Sequence, residues 1–329
     1  MKFIHIADVH WGARPEREQT FGRIREQEIK ETFQRVIDHA NKQQLDLLLI
    51  AGDLFDQPPT QQELREVDYL LSRLNHTRTV LIAGNHDHLE PHDAFSQYKW
   101  NSEVYLLDGK QRDYISFEDL ETTIYGFSYW KNQITKPLYD RMKPDENEGS
   151  DFSILLAHGG DESHIPIQRE ALKWSGFDYI ALGHIHKPMK VGSELYRYCG
   201  TPLACSVSEA QQQKGIIMVE MGAKGEVKTT VLSLEPLRQV KVVKGTLEEV
   251  LEESCKDYVT VILTDKADLD VIDMQERIRL AFPNLLEIRR ENLRKADYTR
   301  TLQTEELLDP YELCCSFLKD LDEEEKTIL

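Results

Sequence analysis

A chain of 329 residues, 40% hydrophobic and 30% charged, is long enough to bury a large core in one sizeable unit plus a smaller one, which excludes a disordered or fibrous protein. No apolar run approaches the roughly 18–20 residues that span a bilayer, and Met1-Lys2 runs straight into Phe3-Ile4-His5-Ile6-Ala7, so neither a membrane helix nor a signal peptide is expected and the cytoplasm is the expected compartment. A formal net charge of −18 argues against tight nucleic-acid binding by charge alone, yet net charge governs long-range steering rather than a local site, so DNA stays open as a substrate.

From the N-terminus to about Val191, short apolar runs alternate with helical patterns, the mark of an α/β layered fold. Phe3–Ala7, Leu45–Ala51, Thr79–Ala83, Ile154–Ala157 and Tyr179–Leu182 read as strands, and Ile24, Ile29, Phe33, Val36, Ile37 and Ala40 recur at helical spacing between the first two. Tyr196–Cys199, Ile216–Met221 and Val227–Leu234, the last pair joined by Gly222-Ala223-Lys224-Gly225, suggest a second sheet that closes a sandwich. Past Pro236 the pattern changes. Gln239–Val243, a helix opened by the capping pair Thr246 and Glu249, Tyr258–Leu263, Val271–Phe282 and Leu285–Arg290 form a β-α-β-α-β unit. A last amphipathic stretch, Glu305–Leu321, carries Leu307, Leu308, Tyr311, Leu313, Phe317, Leu318 and Leu321, and either docks a partner or packs on its own chain. The five cysteines, odd in number and without a CxxC pair, are read as reduced thiols; the adjacent Cys314 and Cys315 suit a buried helical face better than a redox pair.

The chemistry lies at the ends of the five early strands. They are followed by Asp8-Val9-His10, Gly52-Asp53, Gly84-Asn85-His86-Asp87, His158-Gly159-Gly160 and Gly183-His184-Ile185-His186. Ligands gather beyond the carboxyl ends of strands in α/β sheets, so these side chains are expected at one edge, with small residues around them. Carboxylate, amide and imidazole donors without thiolate suit manganese, iron or zinc, and a shared carboxylate can bridge two such ions. Each piece alone has a bland reading: a strand-end histidine is usually a cap, a Gly-Asp an ordinary turn. Coincidence fails as an explanation for all five in this order.

At these residues the chain resembles the calcineurin-like metallophosphoesterases, whose signature is D-x-H, G-D, G-N-H-[DE], H and G-H-x-H, over about the first 200 residues. The resemblance implies a four-layer β-sandwich flanked by helices, of α/β (α+β) class. It further implies that Asp8, His10 and His186 hold one divalent ion, that Asn85, His158 and His184 hold a second, and that Asp53 bridges them. His86 would face the scissile phosphate and assist the leaving oxygen, with Asp87 orienting it.

Ile-Ala-Asp-Val-His-Trp-Gly, Ala-Gly-Asp-Leu-Phe-Asp, Ala-Gly-Asn-His-Asp, Ala-Leu-Gly-His-Ile-His-Lys-Pro and Tyr-Cys-Gly-Thr-Pro-Leu are similar to the Mre11/SbcD branch of that family. In that branch the β-α-β-α-β unit corresponds to a capping domain, giving a nuclease domain 1–235, a cap 236–298 and a C-terminal segment 299–329. The resemblance then implies a manganese-dependent DNA exonuclease, with single-strand endonuclease action as a second mode, working in DNA repair as a homodimer with a coiled-coil SMC-like ATPase of the SbcC/Rad50 kind. The alternative within the family is a phosphoesterase of small phosphodiesters or phosphomonoesters. Trp11 stands where the branch usually has Leu, and the stretch after Pro202 diverges. Arg14 and Arg17, in the loop after His10, are candidate phosphate contacts of DNA, as are Arg289, Arg290, Arg294 and Lys295 of the cap. His5 is expected in the core or behind the ligands; His88 and His92 are expected as solvated loop residues or beside substrate, and Asp56 in a turn or hydrogen-bonded to a metal-bound water.

Overall fold

The computed structural model describes residues 1–110, 113–145, 149–210, 212–223, 225–265 and 270–291. Arg294, Lys295, Cys314, Cys315 and the Glu305–Leu321 stretch lie outside the described residues. In chain order the elements are β1 (Lys2–Ile6), α1 (Gly22–Gln43), β2 (Leu47–Ala51), α2 (Gln61–Leu71), β3 (Arg78–Ile82), β4 (Val104–Leu106), β5 (Tyr114–Phe117), β6 (Thr122–Gly126), β7 (Phe152–His158), α3 (Arg169–Lys173), β8 (Tyr179–Gly183), β9 (Met189–Lys190), β10 (Tyr196–Tyr198), β11 (Ile216–Met221), β12 (Val227–Leu232), β13 (Val240–Gly245), α4 (Leu247–Glu252), β14 (Tyr258–Leu263), α5 (Val271–Ala281) and β15 (Leu285–Arg290).

Two six-stranded sheets stack face to face, one in the order β12-β11-β1-β2-β3-β4 and the other β5-β6-β7-β8-β10-β9. Strands β1, β2 and β3 are apolar on both faces because both faces are covered, and the period of two sorts their side chains. Phe3, Leu47, Leu49, Val80 and Ile82 meet Ile124, Ile154, Leu156 and Tyr179 between the sheets. Ile4, Ile6, Leu48, Ile50 and Leu81 meet Ile29, Phe33, Val36 and Ile37 of α1 and Leu64, Val67 and Leu71 of α2 on the outer side. The far face of the second sheet is closed by loops and the short α3, through Tyr129, Ile134, Tyr139, Ile165, Leu172 and Phe177. This is the four-layer α/β sandwich expected, with a thin outermost layer.

The structure departs from the expectation in three respects. Ile216–Met221 and Val227–Leu232 do not found the second sheet; β11 pairs antiparallel with β1 and extends the first sheet. The second sheet is built instead around β6, β7 and β8, with β10 parallel to β8. Strand β4, at the edge of the first sheet, is three half-buried residues, and β5, at the edge of the second, buries only Phe117, so neither carries a strong period. Ile24, expected in the buried stripe of α1, is 44% exposed. Helix α2 is an addition to the expected elements, although Thr60 and Glu63 form a capping box, the same device that opens α4 at Thr246 and Glu249.

Parallel register aligns the strand ends. Ile6 pairs with Ile50 and Ala51 with Ile82 in the first sheet, and His158 pairs with Gly183 in the second. The five site loops therefore leave from one end of two facing sheets, three from one and two from the other, rather than from a single sheet edge.

The β-α-β-α-β order past Pro236 gives a three-stranded parallel sheet, β13-β14-β15, with its own core of Val243, Val250, Val259, Val261, Leu263, Met274, Ile278 and Phe282. It meets α1 through one polar knot: Tyr258 donates its hydroxyl to Glu28 at 2.9 Å, Arg238 pairs with the same carboxylate, and the Arg25 guanidinium stacks over the Tyr258 ring at 4.5 Å.

Candidate metal centre

The backbone at the strand ends is bent into conformations that L-residues avoid. Asp8, His10 and Asp53 have φ near +50° and His184 has φ +95°, each held by its neighbours. The Asp8 N–H donates to Gly52 O and the His10 N–H to Asp53 O, both at 3.1 Å, while the His184 N–H donates to both Asp8 carboxylate oxygens at 3.0 and 3.1 Å. Glycine is required at 52 and 84 by crowding: a Cβ on Gly52 would strike the His158 ring and one on Gly84 the Asp53 carboxylate.

These turns draw the expected residues together. Donor atoms of Asp8, His10 and His186 lie within 4.8 Å of one another, as do those of Asp53, His158 and His184. Asn85 Oδ1 is 3.0 Å from His158 Nε2 and 3.1 Å from His184 Nδ1, and Asp53 Oδ2 is 3.2 Å from His158 Nε2. His10, Asp53 and His86 form a further cluster between the two.

Whether these residues fit a pair of cations is decided by their protons. His158 Nδ1 faces Ala51 O at 2.8 Å, His184 Nε2 faces Asp161 Oδ2 at 2.6 Å, His10 Nδ1 faces Asp56 Oδ1 at 3.2 Å and His186 Nδ1 faces Glu209 Oε1 at 3.2 Å. A neutral ring that keeps its proton on this outer nitrogen leaves its other nitrogen an acceptor. Those inward lone pairs point at one another, with His10 Nε2 and His186 Nε2 3.2 Å apart, or at the oxygens of Asn85 and Asp53. Buried acceptors facing acceptors repel unless something positive lies between them, and the donor set suits hard to borderline divalent ions. Without a cation, protons take that place. Burial opposes charge on His158 and His10, but Asp53 lifts His158 above the usual histidine range, and Asp56, with Asp53 and Asp8, lifts His10. Burial would likewise raise Asp53, yet His158, His10 and His86 hold it below the usual carboxylate range.

Asp87 does not take the part expected of it. Its carboxylate is fully buried and accepts the N–H groups of Gly84 at 2.6 Å and Phe55 at 3.0 Å, so it fastens the turn rather than the ring of His86. Burial and the nearby Asp53 raise Asp87 above the usual carboxylate range, a poor state for an anionic partner. The His86 ring is oriented by Asp56, whose carbonyl accepts from Nδ1 at 2.9 Å. Arg14 is paired with Glu26 at 2.7 Å and Arg17 is exposed. His5 is buried against Tyr179 OH at 3.0 Å, a core residue as expected. No spacing in the sequence marks Asp161 or Glu209 as supports of the rings, because they reach them from a loop and from a single 3-10 turn. Asp56 does carry a signal, its place in Asp53-Leu54-Phe55-Asp56, and it turns out to orient both His10 and His86 rather than to serve as a mere turn residue.

Residues 1–188 match the calcineurin-like phosphoesterase family, and residues 235–321 match the Type 5 capsule protein repressor C-terminal domain. The chain belongs to the calcineurin-like phosphoesterase family. Its chemistry is metal-dependent hydrolysis of phosphate esters. It is 25% identical to the SbcD subunit of the SbcCD nuclease from Staphylococcus epidermidis, over 87% of this chain and 84% of that one. It is 33% identical to the DNA double-strand break repair protein Mre11 of Sulfurisphaera tokodaii over 56% of this chain, and 30% identical to metallophosphoesterase YhaO of Bacillus subtilis over 59%. It spans about half the length of these last two relatives, 49% and 50%. No helix among the described residues is long and apolar enough to cross a membrane.

Proposed function

We propose that this phosphoesterase is a two-metal DNA nuclease, an exonuclease that also cuts single strands internally. One observation carries the dinuclear reading: four imidazole nitrogens converge within 3.0–3.2 Å on Asp53, Asn85 and one another, a set of acceptors that needs positive charge between them. Asp8, His10 and His186 would hold one ion and Asn85, His158 and His184 the other, with Asp53 shared. Bound ions, manganese in this reading with iron or zinc as alternatives, supply an acidified water and positive charge on the scissile phosphate.

The chain's own residues do the rest. Asp53, kept ionised by its histidines, accepts the hydrogen bond of the His86 N–H at 2.9 Å and so fixes that loop against the shared edge. His86 is exposed at the mouth, and its Nδ1–H is anchored on Asp56 O. With Nδ1–H held there, the imidazolium form of His86 carries its second proton on Nε2, the atom that would pass it to the departing oxygen. DNA as the substrate is supported by the names of the Staphylococcus and Sulfurisphaera relatives. On the same footing we propose the division into a nuclease domain 1–235, a cap 236–298 and a partner-binding segment 299–329, a homodimer, a coiled-coil SMC-like ATPase partner, a cytoplasmic place of work and Arg17 as a phosphate contact.

Hydrolysis of end-labelled single- and double-stranded DNA with added manganese, comparing the wild type with His86→Ala, tests this. The variant is expected to keep two ions and lose about a hundredfold or more in kcat. An unaffected His86→Ala removes the mechanism, and hydrolysis of small phosphodiesters with none of DNA removes the substrate.

A further inference from the structure

A net charge of −18 gives the chain little long-range attraction to DNA. Arg14, the first arginine after His10, is already paired with Glu26. Something other than diffuse charge has to seat the strand. The segment between β6 and the turn of Tyr139 offers it. Tyr129 is fastened on both sides to the loop that carries Asn85 and His86: its N–H donates to Ala83 O at 3.0 Å and its carbonyl accepts from the Leu89 N–H at 2.8 Å. Its hydroxyl donates to the His158 carbonyl at 3.0 Å. Five positions on, Ile134 is tied to the loop after His158, exchanging hydrogen bonds with Ser163 and Ile165 at 3.0 and 2.6 Å. Asn132 donates to Asn85 O at 3.3 Å. Residues Trp130-Lys131-Asn132-Gln133 are thus an exposed bridge strapped to two loops of the metal centre.

On that bridge Trp130 is 44% exposed, with Phe127 tilted against it at 6.3 Å between centroids. The indole of Trp130 is anchored at one edge and open to solvent on a bridge tied to two loops of the metal centre. Trp174 is more exposed, at 74%, but Lys173 already sits over its ring at 5.3 Å. Lys131, next to Trp130, is exposed and has no acidic partner among the described residues. Aromatic faces bind unpaired bases whatever their identity, and they do so without net positive charge.

We infer that Trp130 is a stacking platform for an unpaired base of single-stranded DNA, seating the strand so that its phosphate reaches the centre, with Lys131 on the adjacent phosphate. This rests on the proposal that DNA is the substrate. It narrows it to strands with at least one unstacked base, a frayed end or a single-stranded tail.

The test uses oligodeoxythymidylate with the full chain. Trp130→Ala is expected to weaken its binding by about tenfold to a hundredfold, with Trp130→Phe recovering most of it. Quenching of tryptophan fluorescence by the oligonucleotide is expected in the wild type and lost in Trp130→Phe. Hydrolysis of bis(p-nitrophenyl) phosphate, which has no base to stack, is expected to be unchanged in both variants. If the wild type binds the oligonucleotide and Trp130→Ala binds it equally well, the stacking role is wrong while the DNA reading stands. If Trp130→Ala loses bis(p-nitrophenyl) phosphate hydrolysis in equal measure, Trp130 supports the loops and the inference is overturned. If the wild type binds no oligonucleotide but hydrolyses the small diester, the DNA reading falls and this falls with it.

Discussion

The loop end of the sandwich and the three-stranded unit past Pro236 obey opposite rules. In the unit, residues 240–291, no non-glycine residue among those described has a positive φ, and besides the Tyr258 hydroxyl only Thr260 among them is a buried polar side chain. Its helices open on capping residues, Thr246 and Asp270, and its core is aliphatic and aromatic. At the loop end, Asp8, His10, Asp53 and His184 are all in strained backbone, and Asp8, His10, Asp53, Asn85, Asp87 and His158 are buried. Strain and buried ionisable groups each cost on the order of 1–3 kcal/mol and persist only where the surroundings over-determine them. The unit is built for stability and the loop end for cation binding, and the wide apolar layers beneath the loops offset what that binding geometry costs.

If that contrast is right, substitutions at the two places should separate stability from function. The largest effect is expected at Asp53→Asn, which keeps the shape and removes the charge common to both clusters. A fall in kcat of roughly a thousandfold or more, about 4 kcal/mol, is expected, together with fewer bound ions per chain by elemental analysis. Retained ion stoichiometry in Asp53→Asn would break the comparison. Ile278→Ala in the unit should do the reverse. Ile278 is fully buried on α5, so truncation is expected to lower stability by about 2–5 kcal/mol in denaturant titration. Ion stoichiometry should stay that of the wild type.

How much of the molecule is legible in its sequence follows the same line. Strands β14 and β15 match the pattern to the residue, because local preference and tertiary environment agree there. The side chains proposed as metal ligands are legible as types at strand ends, since cation chemistry of this kind restricts them to Asp, Asn and His. Their supports are not. Asp161 acts on His184 from the loop after β7 and Glu209 on His186 from a single 3-10 turn after β10, and nothing local marks either. Neighbourhood in sequence suggests Asp87 as the partner of His86, but adjacent residues at a tight turn point apart, and its carboxylate goes to the Gly84 and Phe55 amides. The sheet membership of β11 is hidden for a related reason: pairing with β1 spans over two hundred positions, as in Lys2 with Glu220, and no periodicity encodes a partner that far away.

The next effect is smaller and depends on pH. His5 lies in the inter-sheet layer, where burial lowers it from 6.5 to about 3. The unfolded chain therefore binds a proton below pH 6.5 that the folded chain refuses, so stability falls as pH drops from 6.5 towards 3, by up to roughly 1.4 kcal/mol per pH unit. Above pH 6.5 the residue has no pH effect of this kind. His5→Gln, which keeps a polar partner for the Tyr179 hydroxyl, should flatten the acid limb of a stability-against-pH curve. An identical acid limb in the variant would place the sensitivity elsewhere in the sandwich.

The smallest effect sharpens the contrast most cheaply. Thr246 caps α4: its hydroxyl accepts the Glu249 N–H at 3.4 Å while the Glu249 carboxylate accepts the Thr246 N–H at 2.8 Å. Thr246→Ala removes one half of that exchange and is expected to lower stability by about 1 kcal/mol. The helix has only six residues, Leu247–Glu252, too short to hold itself without its cap and its packing. Local opening measured by amide exchange should therefore rise in β13, α4 and β14 as one block, while the site loops stay as protected as in the wild type. Exchange that rises equally at Asn85 and His158 would mean that the unit and the loop end share one cooperative structure, through the Glu28–Tyr258 contact, and that they are not two regions with separate purposes.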